Sequence, residues 1–224
     1  MQIKIYSGLC LQQNDVQHAL PQAICCPPVR RGDVLKDIAQ GVQVIGIVDG
    51  EFFQNMAVTP SEIIDALRVG VRVYGAGSMG ALRAAELDGF GMQGCGEIYR
   101  QICEEAYFAD DYLGVIFDAP DEPQLSLPMV DFCATLRSLR AAAALTAEQA
   151  QELRQVYGAL HFTERNIESL AQHLQVRETD GLHAALAVVR QNVINQKRRD
   201  GFAMLAHIAQ DLANTAHINH LINH

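Results

Sequence analysis

Hydrophobic and polar positions follow two alternating periods over the first part of the chain, and each change of period predicts a new element. Short apolar runs predict strands at 2–7, 23–26, 42–48 and 71–74, and helical spacing predicts helices at 14–20, 34–40, 63–69 and 81–87. The run VQVIGIV at 42–48 is nearly all apolar, which is typical of a parallel strand covered on both faces. This alternation predicts an α/β fold, with a Rossmann-like parallel sheet and helices on both faces.

The pattern changes after residue 88. A glycine-rich connection at 89–96 precedes a predicted helix at 97–106 and a predicted strand at 113–117, and nearly everything from Met129 onward has helical spacing. Helix caps are predicted at Thr146, which fits a capping box, and at Thr163 and Thr179, while Asp200-Gly201 is predicted to break off the last helix. We expect two domains, an α/β core at 1–128 and a C-terminal helical region at 129–224 packed on it.

Loops that follow the predicted strands gather polar residues at one edge of the sheet. Ser7-Gly8, the 27–33 loop, Asp49-Gly50 and the 75–80 turn each follow the carboxyl end of a strand, where ligands bind in open α/β sheets. Asp49 ends an apolar strand, so its carboxylate either caps a loop or belongs to a site. The convergence of these loops predicts a functional site at this edge.

The stretch 70–87, GVRVYGAGSMGALRAAEL, joins a strand to a helix through a glycine-rich turn. Ser78 stands at the turn, where a strand–elbow–helix carries its nucleophile, although Ala76 replaces the first glycine of the usual Gly-x-Ser-x-Gly pattern. A serine there can instead be an N-cap, which stabilises a helix by about 1 kcal/mol. The three glycines of the turn favour a group lying close above the backbone, which a cap alone does not require.

Composition and charge exclude several classes of function. A formal net charge of −9 leaves no basic stripe for nucleic acid, and no apolar run has the length of a transmembrane helix. The N-terminus lacks the apolar region of a signal peptide. The six cysteines form no C-x-x-C pair, so no zinc ribbon or thioredoxin-like motif is expected. We therefore expect a cytoplasmic protein with reduced thiols and no metal or other cofactor.

Other polar residues have both a structural and a functional interpretation. His161, between two predicted helices, is a core or capping histidine or a site residue. The final helix has three histidines on one face but no acidic or cysteine partner for a metal site: His217, His220 and His224. An acidic segment is typical either of solvated surface or of a docking surface, and it contains Glu104, Glu105, Asp110, Asp111, Asp118, Asp121 and Glu122.

Several blocks of the chain resemble the TfuA family. They are PP at 27–28 with GD at 32–33, IGIVDGEF at 45–52, EII at 62–64, GVRVYGAGSMGALRAAEL at 70–87, GFGMQGCG at 89–96, DD at 110–111 and PMVD at 128–131. The block SMGALRAAE is long and specific, and the resemblance covers approximately the first 140 residues. Two segments depart from the family's pattern, TPS at 59–61 before Glu62 and FDAP at 117–120, where relatives commonly carry a histidine.

The resemblance implies a role in backbone thioamidation. TfuA-like proteins act beside YcaO enzymes, which are ATP-dependent catalysts that modify the backbones of ribosomally made peptides and of some proteins. The implied role is sulfur supply, by a hydrolase that releases sulfide from the C-terminal thiocarboxylate of a small ubiquitin-like sulfur carrier. The implied partners are a YcaO enzyme, the sulfur carrier, and a precursor peptide or protein substrate.

This role predicts a task for each residue of the turn. Ser78 would attack the acyl carbon or position water to do so. The N–H groups of Met79 and Gly80 would hold the oxyanion, each contributing about 3 kcal/mol. A turn lined by Gly77 and its neighbours at a helix N-terminus would admit the carrier's flexible tail and favour its negative charge.

Side chains beyond the turn are predicted to complete the site. Arg83 would hold the carboxylate of the tail or pair with Glu86 on the same helix face. The turn itself contains no base, and the candidates are Asp49, ranked first because it lies at the same edge of the sheet, Glu62 and His161.

Two other functions remain open at this point. The protein is either a catalyst or a non-catalytic adaptor that docks the sulfur carrier or the substrate onto YcaO, with the acidic segment as its docking surface. In a third hypothesis a cysteine relays sulfur as a persulfide, for which Cys95 in its glycine-rich loop is the best candidate.

Overall fold

The computed structural model describes residues 1–51, 56–105, 108–115, 126–176 and 180–222. Its first part contains a five-stranded parallel sheet with the strand order β2-β1-β3-β4-β5. The strands are β1 (Ile3–Tyr6), β2 (Ala23–Cys26), β3 (Val44–Ile47), β4 (Arg72–Ala76) and β5 (Gln93–Cys95). Flavodoxin-like, doubly wound sheets have this order. The predicted α/β, Rossmann-like class is confirmed.

Ten α-helices are present in the described residues. Five belong to the strand-bearing part: α1 (Gln13–Ala19), α2 (Asp33–Ala39), α3 (Pro60–Arg68), α4 (Met79–Leu87) and α5 (Gly96–Glu104). The others are α6 (Met129–Ala141), α7 (Ala147–Gly158), α8 (Ile167–Val176), α9 (Asp180–Gln191) and α10 (Gln196–Ile222). None of these helices combines the length and apolarity needed to cross a membrane.

The chain divides into two compact units, one formed by residues 1–108 with 197–224 and the other by residues 109–196. We call them the sheet unit and the helical unit. Their limits differ from those of the two predicted domains, 1–128 and 129–224, and that division stays a prediction.

Two hydrophobic clusters cover the two faces of the sheet. On one face, side chains of α2, α3 and α4 such as Val34, Ile63 and Ala84 pack against Ile45 and Val73. On the other face, Val16 of α1 and residues 204–212 of α10 pack against β1 and β3. The last helix therefore takes part in the sheet unit and covers one of its two faces.

The helical unit has a core of its own. The rings of Phe132 on α6 and Tyr157 on α7 stack with their centroids 3.9 Å apart. The Tyr157 hydroxyl donates a 2.7 Å hydrogen bond to the carbonyl of Leu127, which ties the segment before α6 to α7. Thr146 caps α7 in the predicted capping box with Gln149.

Two predicted features between residues 109 and 166 are wrong. No strand forms at 113–115; a 3₁₀ helix precedes this segment at Asp110–Tyr112, and 116–117 lie outside the described residues. Thr163 caps no α-helix: it follows His161, which caps the 3₁₀ helix at Phe162–Glu164, and the side chain of Asn166 caps α8. Thr179, a further predicted cap, lies outside the described residues.

The helix break predicted at Asp200-Gly201 is absent. α10 continues through both residues to Ile222, because each is needed for packing rather than for a turn. The Asp200 carboxylate accepts the N–H of Ile98 at 2.7 Å, and a Cβ on Gly201 would lie 2.9 Å from Leu11. The pair Asp200-Gly201, whose composition is typical of a helix break, here makes close tertiary contacts inside a continuous helix.

Candidate functional site

The carboxyl edge of the sheet carries the predicted loops, because all five strands are parallel. The strand order reverses between β1 and β3, and ligands bind at such a switch point in sheets of this class. Asp49 follows β3 and reaches across this point to the loop after β1. The turn with Ser78 follows β4, the next strand in the sheet.

Ser78 lies between β4 and α4, as predicted. It is 5% exposed, and its backbone angles, φ −124° and ψ −114°, are not helical. Its side chain makes no capping hydrogen bond to α4. The N-cap interpretation, the commoner one for a serine at this position, is therefore not the one the structure shows.

The glycines of the turn are explained by contacts within the protein. A Cβ on Gly80 would overlap the carbonyl oxygen of Ile47 and lie 2.6 Å from its carbon, and a Cβ on Gly75 would overlap the carbonyl oxygen of Gly80. Gly77 has φ +70°, and a Cβ there would lie 2.9 Å from the carbonyl oxygen of Lys197. The group close above the turn is thus the protein's own backbone, and the glycines alone do not indicate a ligand.

The backbone donors of the turn are partly occupied. The carbonyl of Val48 accepts hydrogen bonds from the N–H groups of Ser78, at 3.3 Å, and Gly80, at 3.2 Å. The N–H of Gly80 is therefore not available as an oxyanion donor in this structure, contrary to its predicted role. The N–H of Met79 has no acceptor among the described residues, and its oxyanion role stays a prediction.

Asp49 holds the loop after β1. Its Oδ2 accepts the N–H groups of Gly8 and Cys10, both at 2.9 Å, and the hydroxyl of Ser7 at 3.3 Å. Its Oδ1 accepts the thiol of Cys10 at 2.9 Å. The carboxylate is 8% exposed, so of the two predicted interpretations the geometry favours the loop cap; a role as general base stays a prediction.

Glu62 has an equally full set of partners. Its Oε1 accepts the hydroxyl of Thr59 at 2.9 Å in the capping box of α3, and its Oε2 accepts the N–H of Gly32 at 2.6 Å. Gly32 has φ +87° and belongs to the loop after β2. Thr59 thus supports the helix start, and the geometry assigns Glu62 a structural role beside its predicted one.

Arg83 and Glu86 form the ion pair that was one of the two alternatives for Arg83. Nη1 of Arg83 lies 2.7 Å from Oε2 of Glu86, and Nε of Arg83 donates to the carbonyl of Val58 at 3.0 Å. The guanidinium is therefore fixed against the start of α3. Binding of a substrate carboxylate by this pair stays a prediction.

His161 belongs to the helical unit. It is exposed, its Nδ1 lies 2.7 Å from the hydroxyl of Thr163, and its ring contacts Phe162 at 4.6 Å between centroids. Of the roles expected for His161, core or cap on the one hand and site residue on the other, the structure shows a cap. Its role as a base stays a prediction.

Three other sequence signals have structural explanations or lie partly outside the described residues. Burial raises the pKa of Cys95 to about 11, so at neutral pH it is a thiol rather than the thiolate that a persulfide relay requires. Within the acidic segment, Asp111 pairs with Arg165 at 2.9 Å; 118–122 lie outside the described residues. His217 is exposed. The side chains of His220 and His224 lie outside the described residues.

The first turn of α10 is a part of the site that sequence reasoning missed. Lys197 is 4% exposed, and its carbonyl lies over Gly77. The side chain of Asp200 lies against Gly96, the residue that follows β5. A signal was present in the sequence: Lys197, Arg198 and Arg199 are the chain's only run of three basic residues, and this run is unusual in a protein with net charge −9.

A model of the family described as TfuA-like protein matches residues 49–166, which include Asp49, Ser78 and the whole of α4. No curated protein matches the chain.

Proposed function

The chain belongs to the TfuA-like protein family, which is associated with YcaO-dependent thioamidation, and on this basis we propose that it supplies the sulfide. In the proposed reaction it hydrolyses the C-terminal thiocarboxylate of a small ubiquitin-like sulfur carrier. The products are a carrier that ends in a carboxylate and hydrosulfide, which the YcaO enzyme uses on a precursor peptide or protein.

One observation carries the proposal more than any other. Ser78 stands at a strand–turn–helix junction on the carboxyl edge of the sheet, and its side chain is not used to cap the helix that it precedes. In α/β hydrolases the nucleophilic serine occupies the same place in a strand–turn–helix. The adjacent N–H of Met79 supplies a donor for negative charge on the acyl oxygen.

The chemistry has two steps. Oγ of Ser78 attacks the acyl carbon, an ester bond forms, the carbon–sulfur bond breaks, and the hydroxyl proton leaves with the sulfur as hydrosulfide. Water then cleaves the ester, which restores the Ser78 hydroxyl and releases the carrier carboxylate and one proton. If Ser78 positions water instead, the water forms the new carbon–oxygen bond directly and the products are the same.

This scheme does not require a base within the turn for its first step. The departing sulfur becomes strongly basic as its bond to carbon breaks, so it accepts the proton that the hydroxyl loses. Asp49 and Glu62 are already acceptors for backbone N–H groups, and in this proposal they act by holding the loops around the turn. Water attack in the second step is where a base contributes most.

The proposal is tested by incubating the purified chain with a thiocarboxylated peptide that ends in Gly-Gly and measuring sulfide. We expect many equivalents of sulfide per equivalent of protein, without ATP or a YcaO enzyme. Sulfide release no faster than from the peptide alone, both without and with a YcaO enzyme, would contradict the proposal. An adaptor would behave in this way.

A further inference from the structure

Most of the exposed lysines and arginines of the sheet unit are neutralised by a carboxylate. Those that the structure describes are Arg30, Arg31, Lys36, Arg68, Arg100 and Arg199. Four of them form ion pairs, Arg30 with Glu51, Lys36 with Asp33, Arg68 with Asp65 and Arg100 with Glu97. Arg31 and Arg199 have no ion-pair partner among the described residues.

Arg31 lies at the carboxyl edge of the sheet, in the loop after β2. Val29 of this loop pairs with Gly50, after β3, in a parallel bridge. The N–H of Arg31 donates to the carbonyl of Met56 at 2.7 Å. The loop is thus tied to the segment that follows β3, which fixes the backbone of Arg31 at this edge.

Arg199 lies at the same edge, in the first turn of α10. The guanidinium of the neighbouring Arg198 donates to the carbonyl of Cys10, in the loop after β1, at 3.3 Å. That loop in turn contacts the loop after β2, because a Cβ on Gly8 would lie 2.7 Å from Pro28. The two arginines without ion pairs therefore belong to segments that flank one and the same loop.

The carboxylates at this edge do not compensate the two arginines. Those of the loops after the strands and of the adjoining helix starts are either ion-paired or buried: Asp15, Asp33, Glu51 and Glu97 are paired with other basic residues, and Asp49, Glu62 and Asp200 are buried. The edge thus presents positive charge, although the chain carries a formal net charge of −9. We call Arg31 and Arg199 together the basic surface.

Each arginine of the basic surface has an exposed apolar neighbour. Met56, which is bonded through its carbonyl to Arg31, is 40% exposed, and Phe202, one helical turn after Arg199, is 37% exposed. Arginine, methionine and aromatic residues are the types that are enriched at protein–protein interfaces. Composition and charge therefore both indicate a surface for a protein partner of opposite charge.

We propose that the basic surface docks an acidic face of the sulfur carrier, beside the tail that reaches Ser78. The surface lies at the edge of the sheet where that tail has to enter, and its charge attracts an acidic protein that the rest of this acidic chain would repel. The inference rests on the proposed function for the identity of the partner, but it concerns recognition of charge and is tested without turnover.

The test uses two synthetic peptides that end in Gly-Gly, one with glutamates in the segment before this end and one with glutamines there. Their dissociation constants are measured for the full-length wild type, Arg31→Glu, Arg199→Glu and the double variant. Arg68→Glu is the control, because Arg68 is also exposed but lies at the end of α3, next to the amino edge of the sheet. All three arginines are exposed, so the variants should fold.

We expect the wild type to bind the glutamate peptide about 10-fold more tightly than the glutamine peptide at low salt. Each reversal at the basic surface should lower this preference by about 3-fold, and the double variant should abolish it, while the affinity for the glutamine peptide stays the same. Arg68→Glu should keep the preference. In about 1 M salt the preference should disappear in the wild type, because charges are then screened beyond about 3 Å.

Several results would overturn the inference. They are no preference for the glutamate peptide in the wild type, an equal loss of affinity for both peptides in the variants, and the same loss in Arg68→Glu. A single-stranded oligonucleotide that binds the wild type as tightly as the glutamate peptide, and that loses affinity in the same variants, would assign the basic surface to nucleic acid instead.

Failure of this inference and failure of the proposed function are distinguishable. A wild type that releases sulfide but shows no charge preference dependent on Arg31 and Arg199 refutes the inference alone. A wild type that shows the preference but releases no sulfide refutes the proposed hydrolysis and leaves the docking of an acidic partner in place.

Discussion

Replacing Gly80 with alanine is expected to destabilise the protein by at least about 3 kcal/mol. The added Cβ would overlap the carbonyl oxygen of Ile47 and lie 2.6 Å from its carbonyl carbon. Both atoms belong to the backbone of β3, so no change of side-chain rotamer relieves the overlap, and α4 must move away from the sheet. Urea denaturation followed by circular dichroism measures the loss.

Gly89→Ala is the matched control for this substitution. Gly89 follows α4, and a Cβ there meets no atom within 4 Å. Its alanine variant should unfold at the same urea concentration as the wild type within error. A Gly80→Ala protein that also matches the wild type would contradict the close approach of α4 to β3.

Removing the carboxylate of Asp49 is expected to cost about 3 kcal/mol or more in Asp49→Ala. The N–H groups of Gly8 and Cys10 both donate to Oδ2, and alanine would leave both without that acceptor at a site where Asp49 is 8% exposed. The loop after β1 would then lose its attachment to β3. The same urea measurement applies.

Asp49→Asn separates this structural role from a role as general base. The amide oxygen can take the place of Oδ2 and accept both N–H groups, so the stability loss should be only about 1 kcal/mol. If Asp49 acts only through the loop, sulfide release should survive in Asp49→Asn and fall in Asp49→Ala. A folded Asp49→Asn protein without release would instead identify Asp49 as a base.

Most of the sheet was predictable because its signals are local. The strands β1 to β4 are short apolar runs, and β2 was predicted at its observed limits, 23–26. The turn at Ser78 was predictable for the same reason, since a strand, a small-residue turn and a helix follow one another directly. β5 was missed, because Gln93-Gly94-Cys95 has neither alternation nor β-branched residues and becomes a strand only by pairing with β4.

Tertiary contacts account for what the sequence pattern could not predict. The glycines of the turn indicated a close neighbour, but the pattern does not distinguish a ligand from the carbonyl of Ile47. Asp200-Gly201 has the composition of a helix break, yet both residues make contacts with distant segments inside a continuous helix. The position of the Lys197 carbonyl over Gly77 depends on the same long-range packing. The basic run at 197–199 marked this segment as unusual but did not show where it lies.

The measurement that tests the central claim most directly is the rate of sulfide release from the thiocarboxylated peptide by Ser78→Ala. We expect a loss of at least about 100-fold relative to the wild type, at unchanged urea stability, because the attacking or water-positioning hydroxyl is gone. Ser61→Ala, which removes an exposed hydroxyl from the first turn of α3, should release sulfide at the wild-type rate. Equal release by a folded Ser78→Ala protein would contradict the account.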